Sequence, residues 1–481
     1  MLNLEPQLVW KHFSKLCEIP RGSGNEENAG RYVISVAESN GLEYKTDDVG
    51  NVLIKVPGTS GRDNDAVTVL QGHLDMVCEK NSSTEHDFTR DPIRPRIDGG
   101  WVKATGTTLG ADNGIGVAYA LALAEDKDCE HGPLELLFTV DEERGLVGAN
   151  NLKEGFVTGR RLLNLDTEED GELYVGCAGG MDTVISLQIQ RGPAADSKGS
   201  FKLSVEGLRG GHSGSDIHEG RGNANRILVR AFWALEKEGI QFDLLSVEGG
   251  SKRNAIPREA FAFVALAPGD SAKAGQVLKH LNEAVAAELA GLDDGVTLSL
   301  SQAACTDAPL TPESRKKLID LLGAVPHGVL YYSREIPGLV ETSTNFATVE
   351  ASAEEVTIGT SQRSSVMSRL HWAGSWIASI ARAAGANVEH SSAYPGWEPN
   401  LSSPILKQAQ QTYKSLFDKV PEPKAIHAGL ECGLIGANYP GMDMVSLGPE
   451  IRNAHSPDEM VEIESVQKTW RYLREILKAL R

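Results

Sequence analysis

An α/β architecture is predicted for this chain: a mixed, largely parallel sheet with flanking helices, carrying an inserted α+β domain. Three observations predict it. Short apolar runs alternate with helix-period segments over roughly the first 180 residues and again after about residue 402. Between them the pattern changes to alternating, half-solvated strands. At 481 residues the chain also exceeds one ordinary hydrophobic core.

The elements follow in order. Residues 6–20 and 26–40 have helical periodicity, the second closed by Gly41. Asn51–Val56 is a β-rich run cut by Pro57-Gly58, and Ala66–Leu70 is a strand leading into Gln71-Gly72-His73. An Ala/Leu-rich helix spans 113–125. Leu134–Val140 and Arg161–Leu165 are apolar strands that end in Asp141-Glu142-Glu143 and in Asp166. Thr183–Gln190 and Phe201–Glu206 alternate as antiparallel strands do, and Asn223–Glu238 is an amphipathic helix. A similar succession recurs between about 255 and 390, with a helix near Ser365–Ala384, so a division of the insert into two subdomains stays open. The α/β style returns with a helix at 403–418, strands at Lys424–Ala428 and Met444–Leu447, and a closing helix near 463–480. Residues 1–182 and 395–481 are therefore expected to form one discontinuous domain, with 183–394 inserted.

Composition narrows the function classes. A formal charge of −19 leaves no basic surplus for phosphates, so neither a nucleic acid nor an anionic membrane is an expected partner. The six cysteines form no CxxC pair or tight framework, which suits free thiols in a reducing compartment. No signal peptide and no run of about 18 apolar residues is evident, and a cytoplasmic location is expected. There is no GxxxxGK[ST] loop, no nucleophile elbow and no evident Cys–His pair, so a protein nucleophile is not expected.

What remains is a set of acids and imidazoles beside glycines or at strand ends: His73, Asp75, Asp112, Glu142, Glu143, Asp166 and His455. In a parallel sheet, ligands bind beyond the carboxyl ends of the strands. His73, Glu142-Glu143 and Asp166 each fall there. Three carboxylates, two neutral imidazoles and a bridging hydroxide would balance two divalent cations, leaving one acid to move protons. Strand alternation puts His73 and Asp75 on one side, where Asp75 can hold the second imidazole nitrogen. Each residue also has a plainer reading. Asp112 precedes a helix and resembles an N-cap, Asp141 is a third acid or a turn residue, and His455 could be an ordinary loop histidine. Glu168 to Asp170 read as a solvated loop.

Five stretches carry a resemblance: Gly72-His73-Leu74-Asp75-Met76-Val77, Gly110-Ala111-Asp112-Asn113-Gly114, Asp141-Glu142-Glu143, Asn164-Leu165-Asp166 and Asn453-Ala454-His455-Ser456-Pro457. They resemble the motifs of the co-catalytic zinc aminopeptidase and carboxypeptidase clan, in the branch of carnosinases, aminoacylases and glutamate carboxypeptidases. Gly210–His218, Gly249–Pro257 and Ser361–Ser365 are similar to stretches of the bacterial aminoacyl-histidine (Xaa-His) dipeptidases, the cytosolic dipeptidases of broad specificity. The resemblance implies a zinc-exopeptidase-like fold with a lid and dimerisation insert. It implies that Asp112 bridges two zincs, with His73 and Asp166 completing one site and Glu143 and His455 the other. Cobalt or manganese could substitute. It further implies Glu142 as general base, Asp75 as the residue orienting His73, and a cis bond at Asp112-Asn113. His212 would supply a donor to the oxyanion, across a dimer interface in relatives.

For the substrate, Arg363 suits a bidentate grip on a terminal carboxylate, with Arg253 and Arg334 as competitors. Asn254 is a candidate donor, and the resemblance suggests that Gly429 admits substrate to the main chain. The expected activity is hydrolysis of unblocked dipeptides, including Xaa-His such as carnosine, by a homodimer. The spare carboxylates Asp141, Asp170 and Glu431 favour an amine-bearing substrate. The rivals are an N-acyl-amino-acid deacylase on the same metals and a catalytically silent dimeric binding module.

Overall fold

In the computed structural model, which describes residues 2–194, 198–391 and 393–481, the chain divides into two units. One comprises the chain up to Cys177 with Trp397–Ala425 and Leu430–Arg481, and the other comprises Ala178–Gly396 with Ile426–Gly429.

The first unit is built on an eight-stranded sheet in the order Glu43–Thr46, Val52–Val56, Leu134–Thr139, Thr68–His73, Arg161–Asn164, Asp443–Ser446, Leu173–Cys177 and Pro423–Ile426. Its four central strands, from Leu134–Thr139 to Asp443–Ser446, are parallel. Val52–Val56 joins them antiparallel on one side and Leu173–Cys177 on the other. Thr68–His73 and Leu134–Thr139 are buried at every position, as strands covered on both faces must be, which explains their nearly unbroken apolar runs.

The Ala111–Glu125 helix packs between the Gln7–Cys17 helix and the Thr68–His73 strand. Small residues permit that approach. A Cβ at Gly72 would collide with the Asn113 side chain, and one at Gly116 would meet both Asn113 and the Leu165 carbonyl. The start of this helix is thereby held against the strand end that carries His73.

A separate four-stranded sheet orders Ile451–Arg452, Met460–Glu462, Trp101–Lys103 and Arg96–Asp98. The 453–459 loop, with His455, springs from it. Strands this short carry no periodicity, so the sequence reading did not resolve them. The Leu134–Val140 run stops as a strand at Thr139, because Asp141 turns the chain with φ 52°.

The second unit holds a nine-stranded sheet, eight strands in one row and the ninth, Gly328–Tyr332, paired beside Val340–Ala351. Among the described residues its strands pair antiparallel throughout. Along Gly179–Gln188 buried and half-exposed residues alternate, the signature of a sheet covered on one face. Its core includes Phe232, Phe242 and Phe346. The two halves of this sheet are joined by a short ladder, Glu248 to Glu350 and Gly249 to Val349. All six cysteines are free thiols, four of them buried. Among the described residues no helix is long and apolar enough to cross a membrane.

The closing helix Ile463–Ala479 is tied down by Arg62, a buried arginine. Its guanidinium donates to the carbonyls of Leu477 (3.3 Å), Lys478 (3.1 Å) and Leu480, and pairs with Asp65 at 2.7 Å. These are carbonyls that a helix end leaves without partners. Arg62→Ala is expected to lower unfolding stability by about 2 kcal/mol, measured by denaturant titration at constant metal loading.

Candidate functional site

Three parallel strands end side by side in the first unit, and each hands over ligating groups. His73 is the last residue of its strand, Glu142 and Glu143 follow Leu134–Thr139 through a tight turn, and Asp166 lies two residues past Arg161–Asn164. Asp112 comes from the start of the Ala111–Glu125 helix and His455 from the 453–459 loop.

Asp112 sits between the two histidines. Its Oδ1 is 3.0 Å from His73 Nε2, and its Oδ2 is 3.1 Å from His455 Nε2. Asp166 Oδ1 lies 3.4 Å from His73 Nε2, and Glu143 Oε2 lies 3.1 Å from His455 Nε2. Two triads result, His73–Asp112–Asp166 and Asp112–Glu143–His455, each with ligand atoms within 4.8 Å of one another. They share Asp112, one oxygen to each side.

Asp112 is no N-cap. Gly110, left-handed at φ 71°, holds that position, while Asp112 has non-helical φ −77° and ψ 112° and a cis bond to Asn113. His73 Nδ1 lies 3.3 Å from Asp75 Oδ1, slightly off hydrogen-bond alignment. Asp75 is itself fixed by Ser23 Oγ (2.7 Å) and by the N–H groups of Glu142 (3.0 Å) and Glu143 (3.1 Å). It therefore orders both the histidine and the two-glutamate turn.

The electrostatics are those of a site built for cations. Burial works against the charged imidazole of His73, but Asp166, Asp112 and Asp75 together hold its pKa well above the usual value. Hydrogen bonds to Asp112 and Glu143 push His455 up to about 11 against partial burial. Burial raises Asp166 to about 6, opposed by His73 and assisted by Asp112 and Glu143. Glu143 Oε1 is buried with no hydrogen-bond partner among the described residues, a costly state for a carboxylate oxygen. Three carboxylates and two imidazoles match the donors of paired divalent cations. The residues present fit such a pair.

Glu142 belongs to neither of these triads, although one of its oxygens lies in a ligand-distance group with His73 and Glu143. Its backbone is held by Asp75, and among the described residues no side-chain hydrogen bond holds its carboxylate. Burial lifts its pKa well above the usual carboxylate range; His73 opposes this, and Asp166, Glu431 and Glu143 add to it. An acid whose protonated form is favoured in this way is suited to proton exchange.

The spare carboxylates named from sequence are not spare. Asp141 is the turn residue, paired with Arg144 at 2.7 Å, and Asp170 pairs with Lys468 at 2.6 Å. Glu431 is fully buried and accepts from Thr139 Oγ1 at 2.7 Å and from Gln71. Ion pairs hold Asp141 and Asp170, while Glu431 is fully buried, with Oε1 unpartnered among the described residues and its pKa raised by burial to about 7, so none of the three is a free surface charge that argues for an amine-bearing substrate. Glu168 departs from the solvated-loop reading in the other direction. It is half-buried near Asp112, Asp166 and His455, and burial first, then those acids, raises its pKa to about 8.

In the second unit, a cavity of about 330 Å³ is lined by Arg363, Asn254, Arg253, Asp182 and Tyr394 among others. Arg363 is buried, donates to Ser213 Oγ (3.4 Å) and Tyr394 Oη (3.2 Å), and makes no ion pair among the described residues. Its competitors are less suited: Arg253 is half-exposed and pairs with Asp182 at 3.3 Å, and Arg334 is exposed. His212 Nδ1 accepts from the N–H groups of Gly214 (3.2 Å) and Ser215 (3.1 Å). That fixes the tautomer, leaving the proton on Nε2 as a donor. Burial, then Arg363, lowers the His212 pKa against Asp216, so the ring is neutral near pH 7. Asn254 is exposed at the cavity, and Gly429 lies in the bend after Pro423–Ile426. Sequence reasoning passed over His427, which is buried, bonds Ser343 Oγ at 2.7 Å and is pushed down to about 3 by burial and Arg363. It also passed over Tyr394. Neither lies in a motif, and only the folded sheet brings them to Arg363.

The family model described as peptidase family M20/M25/M40 matches residues 69–479. The cytosol non-specific dipeptidase of Escherichia coli (strain K12) is 46% identical over 477 residues, covering 99% of this chain and 98% of that one. The crystal structure of aminoacylhistidine dipeptidase from Vibrio alginolyticus superposes with a TM-score of 0.92 at 42% identity, covering 100% of this chain and 98% of that one. An aminopeptidase structure from Bacillus cereus shares the fold, with a TM-score of 0.57 at 16% identity and 99% of each chain covered.

The two-triad geometry sets a metal count. Equilibrium dialysis should find about two divalent cations per chain, about one after His455→Ala or Asp166→Ala, and less than one after Asp112→Ala.

Proposed function

The chain belongs to peptidase family M20/M25/M40, and from that premise we propose that it is a metal-dependent dipeptidase acting on unblocked dipeptides, Xaa-His such as carnosine among them. The observation that carries this reading is the pair of triads sharing Asp112, with the unligated acid Glu142 beside them. The names of the similar proteins, a non-specific dipeptidase and an aminoacylhistidine dipeptidase, support the substrate class. They favour it over deacylation of N-acyl amino acids. A silent binding module is disfavoured, because such a protein has no use for a proton-exchanging acid beside a cation site.

We assign zinc as the metal, with cobalt or manganese as substitutes, from the mixed imidazole and carboxylate donors. His73, Asp112 and Asp166 would hold one cation, and Asp112, Glu143 and His455 the other. When bound, the pair supplies a water of lowered pKa and polarises the substrate carbonyl. Glu142 takes the proton of the attacking water and returns it to the departing amine, a shuttle its raised pKa suits. Asp75 keeps His73 oriented throughout. His212, neutral and with Nε2–H free to donate, is assigned to the oxyanion. Arg363 and Asn254 are assigned to the terminal carboxylate: a buried guanidinium with no acidic partner is poised for an anion. Gly429 is assigned to the main-chain approach of substrate.

The inserted unit is proposed as lid and dimerisation element. Its exposed aromatic residues support an interface, with Tyr331 packed on Trp372 at 5.7 Å and Trp372 on Trp376 at 5.4 Å. A cytoplasmic location is proposed with it, in keeping with the cytosolic relative and the free thiols.

The test is hydrolysis of carnosine, Gly-His, Leu-Gly, an N-acetyl amino acid and a tripeptide by chelator-stripped and zinc-restored protein. Zinc-dependent cleavage of the free dipeptides alone is expected; cleavage confined to the acetylated substrate would make this a deacylase. Glu142→Gln should keep its metal content but lose about 10²- to 10⁴-fold in kcat. Parent-like turnover in that variant would refute the general-base role. Arg363→Met should cost about 10- to 100-fold in kcat/KM on dipeptides, chiefly through KM.

A further inference from the structure

The loop that carries His455 is joined to the turn that carries Asp112 by one buried side chain, Glu459. Its Oε2 accepts from the N–H groups of Leu109 (2.7 Å) and Gly110 (2.8 Å), and its Oε1 from those of Ala111 (2.7 Å) and Asp112 (3.2 Å). The Ala111–Glu125 helix makes no side-chain cap of its own. Glu459 takes that place from 350 residues away along the chain from Leu109. The opposite side of the turn is held by Arg21, also buried, whose guanidinium donates to the carbonyls of Gly110, Leu74 (2.9 Å) and Asp75 (2.8 Å). Anion on the amides and cation on the carbonyls fix the turn from both sides.

We propose that Glu459 is a positioning residue for the metal centre, setting Asp112 and His455 in register so that the Asp112–Glu143–His455 triad can hold its cation. The inference rests on the metal centre proposed above. His455 needs such an anchor. Its side chain is 53% exposed, its backbone is left-handed at φ 61°, and among the described residues its ring partners are Asp112 and Glu143. The base of its loop, where Glu459 N–H bonds the Ser456 carbonyl at 3.0 Å, is therefore what aims it. Packing alone would not select a carboxylate here. Burial and the neighbouring charge of Asp112 both disfavour the ionised form. Only a carboxylate offers two oxygens to four amide donors; a glutamine would turn an NH₂ group against two of them.

The experiment compares parent, Glu459→Gln and Glu459→Asp, each stripped and then titrated with zinc against a chromogenic chelator, with thermal melts of the stripped proteins. His455→Ala identifies which cation belongs to which triad. In Glu459→Gln the cation of the His73 triad should bind within about threefold of parent, and the other about 10- to 100-fold more weakly. Glu459→Asp should fall between. In the His455→Ala background Glu459→Gln should leave the remaining cation within about threefold. Parent-like affinity for both cations, or equal weakening of both in step with a lowered melting temperature, overturns the proposal. If Glu459→Gln does not fold, Glu459→Asp is judged by the same criterion. A parent that binds fewer than two cations refutes the metal reading itself, an outcome distinct from failure of the Glu459 role.

Discussion

The concentration of negative charge at one edge of a parallel sheet governs the first unit. Asp112, Glu143, Asp166, Glu142 and Asp75 lie around two imidazoles, His73 buried and His455 half-exposed. Carboxylates so close cannot all stay ionised without cations. The protein's response is visible in the raised pKa of Glu142, Asp166, His73 and His455. Every nearby device bears on that strain: the serine and amide donors around Asp75, the capped turn of Asp112, and the internal partners that keep Asp141 and Asp170 out of the cluster.

The scaffold meets this demand with backbone rather than with long side chains. Strand ends deliver His73, Asp166 and the glutamate pair, so their separations follow from the spacing of strands. Glycines at 72 and 116 let a helix approach the sheet closely enough to bring in Asp112. The second unit works differently. Its polar groups lie along an antiparallel sheet, and Arg363 in strand Glu355–Ser364 is buried, with no acid pairing it among the described residues. An unneutralised buried guanidinium and a neutral histidine of fixed tautomer are recognition elements for anionic or oxyanionic groups.

Much of this could be read before folding. The apolar runs Ala66–Leu70, Leu134–Val140 and Arg161–Leu165 are strands because buried parallel strands need unbroken hydrophobicity, and the observed Thr68–His73, Leu134–Thr139 and Arg161–Asn164 match them within three residues at each end. Less could be read where the signal is not periodic. The two- and three-residue strands that bear the His455 loop have no pattern to detect. Asp141, Asp170 and Glu431 could be counted as acids from sequence, but whether an acid is free depends on Arg144, Lys468 and Thr139, which only the fold supplies. Glu168 shows the converse, an acid in a polar run that ends half-buried beside the centre.

The sequence by itself determined the class of fold, the strand ends and the residue types available for ligation, because periodicity and strand termini are local properties of the chain. The tertiary structure alone decided that Asp112 gives one oxygen to each histidine. It also decided that Arg363 is left without an ion pair among the described residues, and that Glu459 caps a helix begun 348 residues earlier. Those facts depend on distances between segments remote in sequence, and hydrogen bonds and charge pairing act through space rather than along the chain.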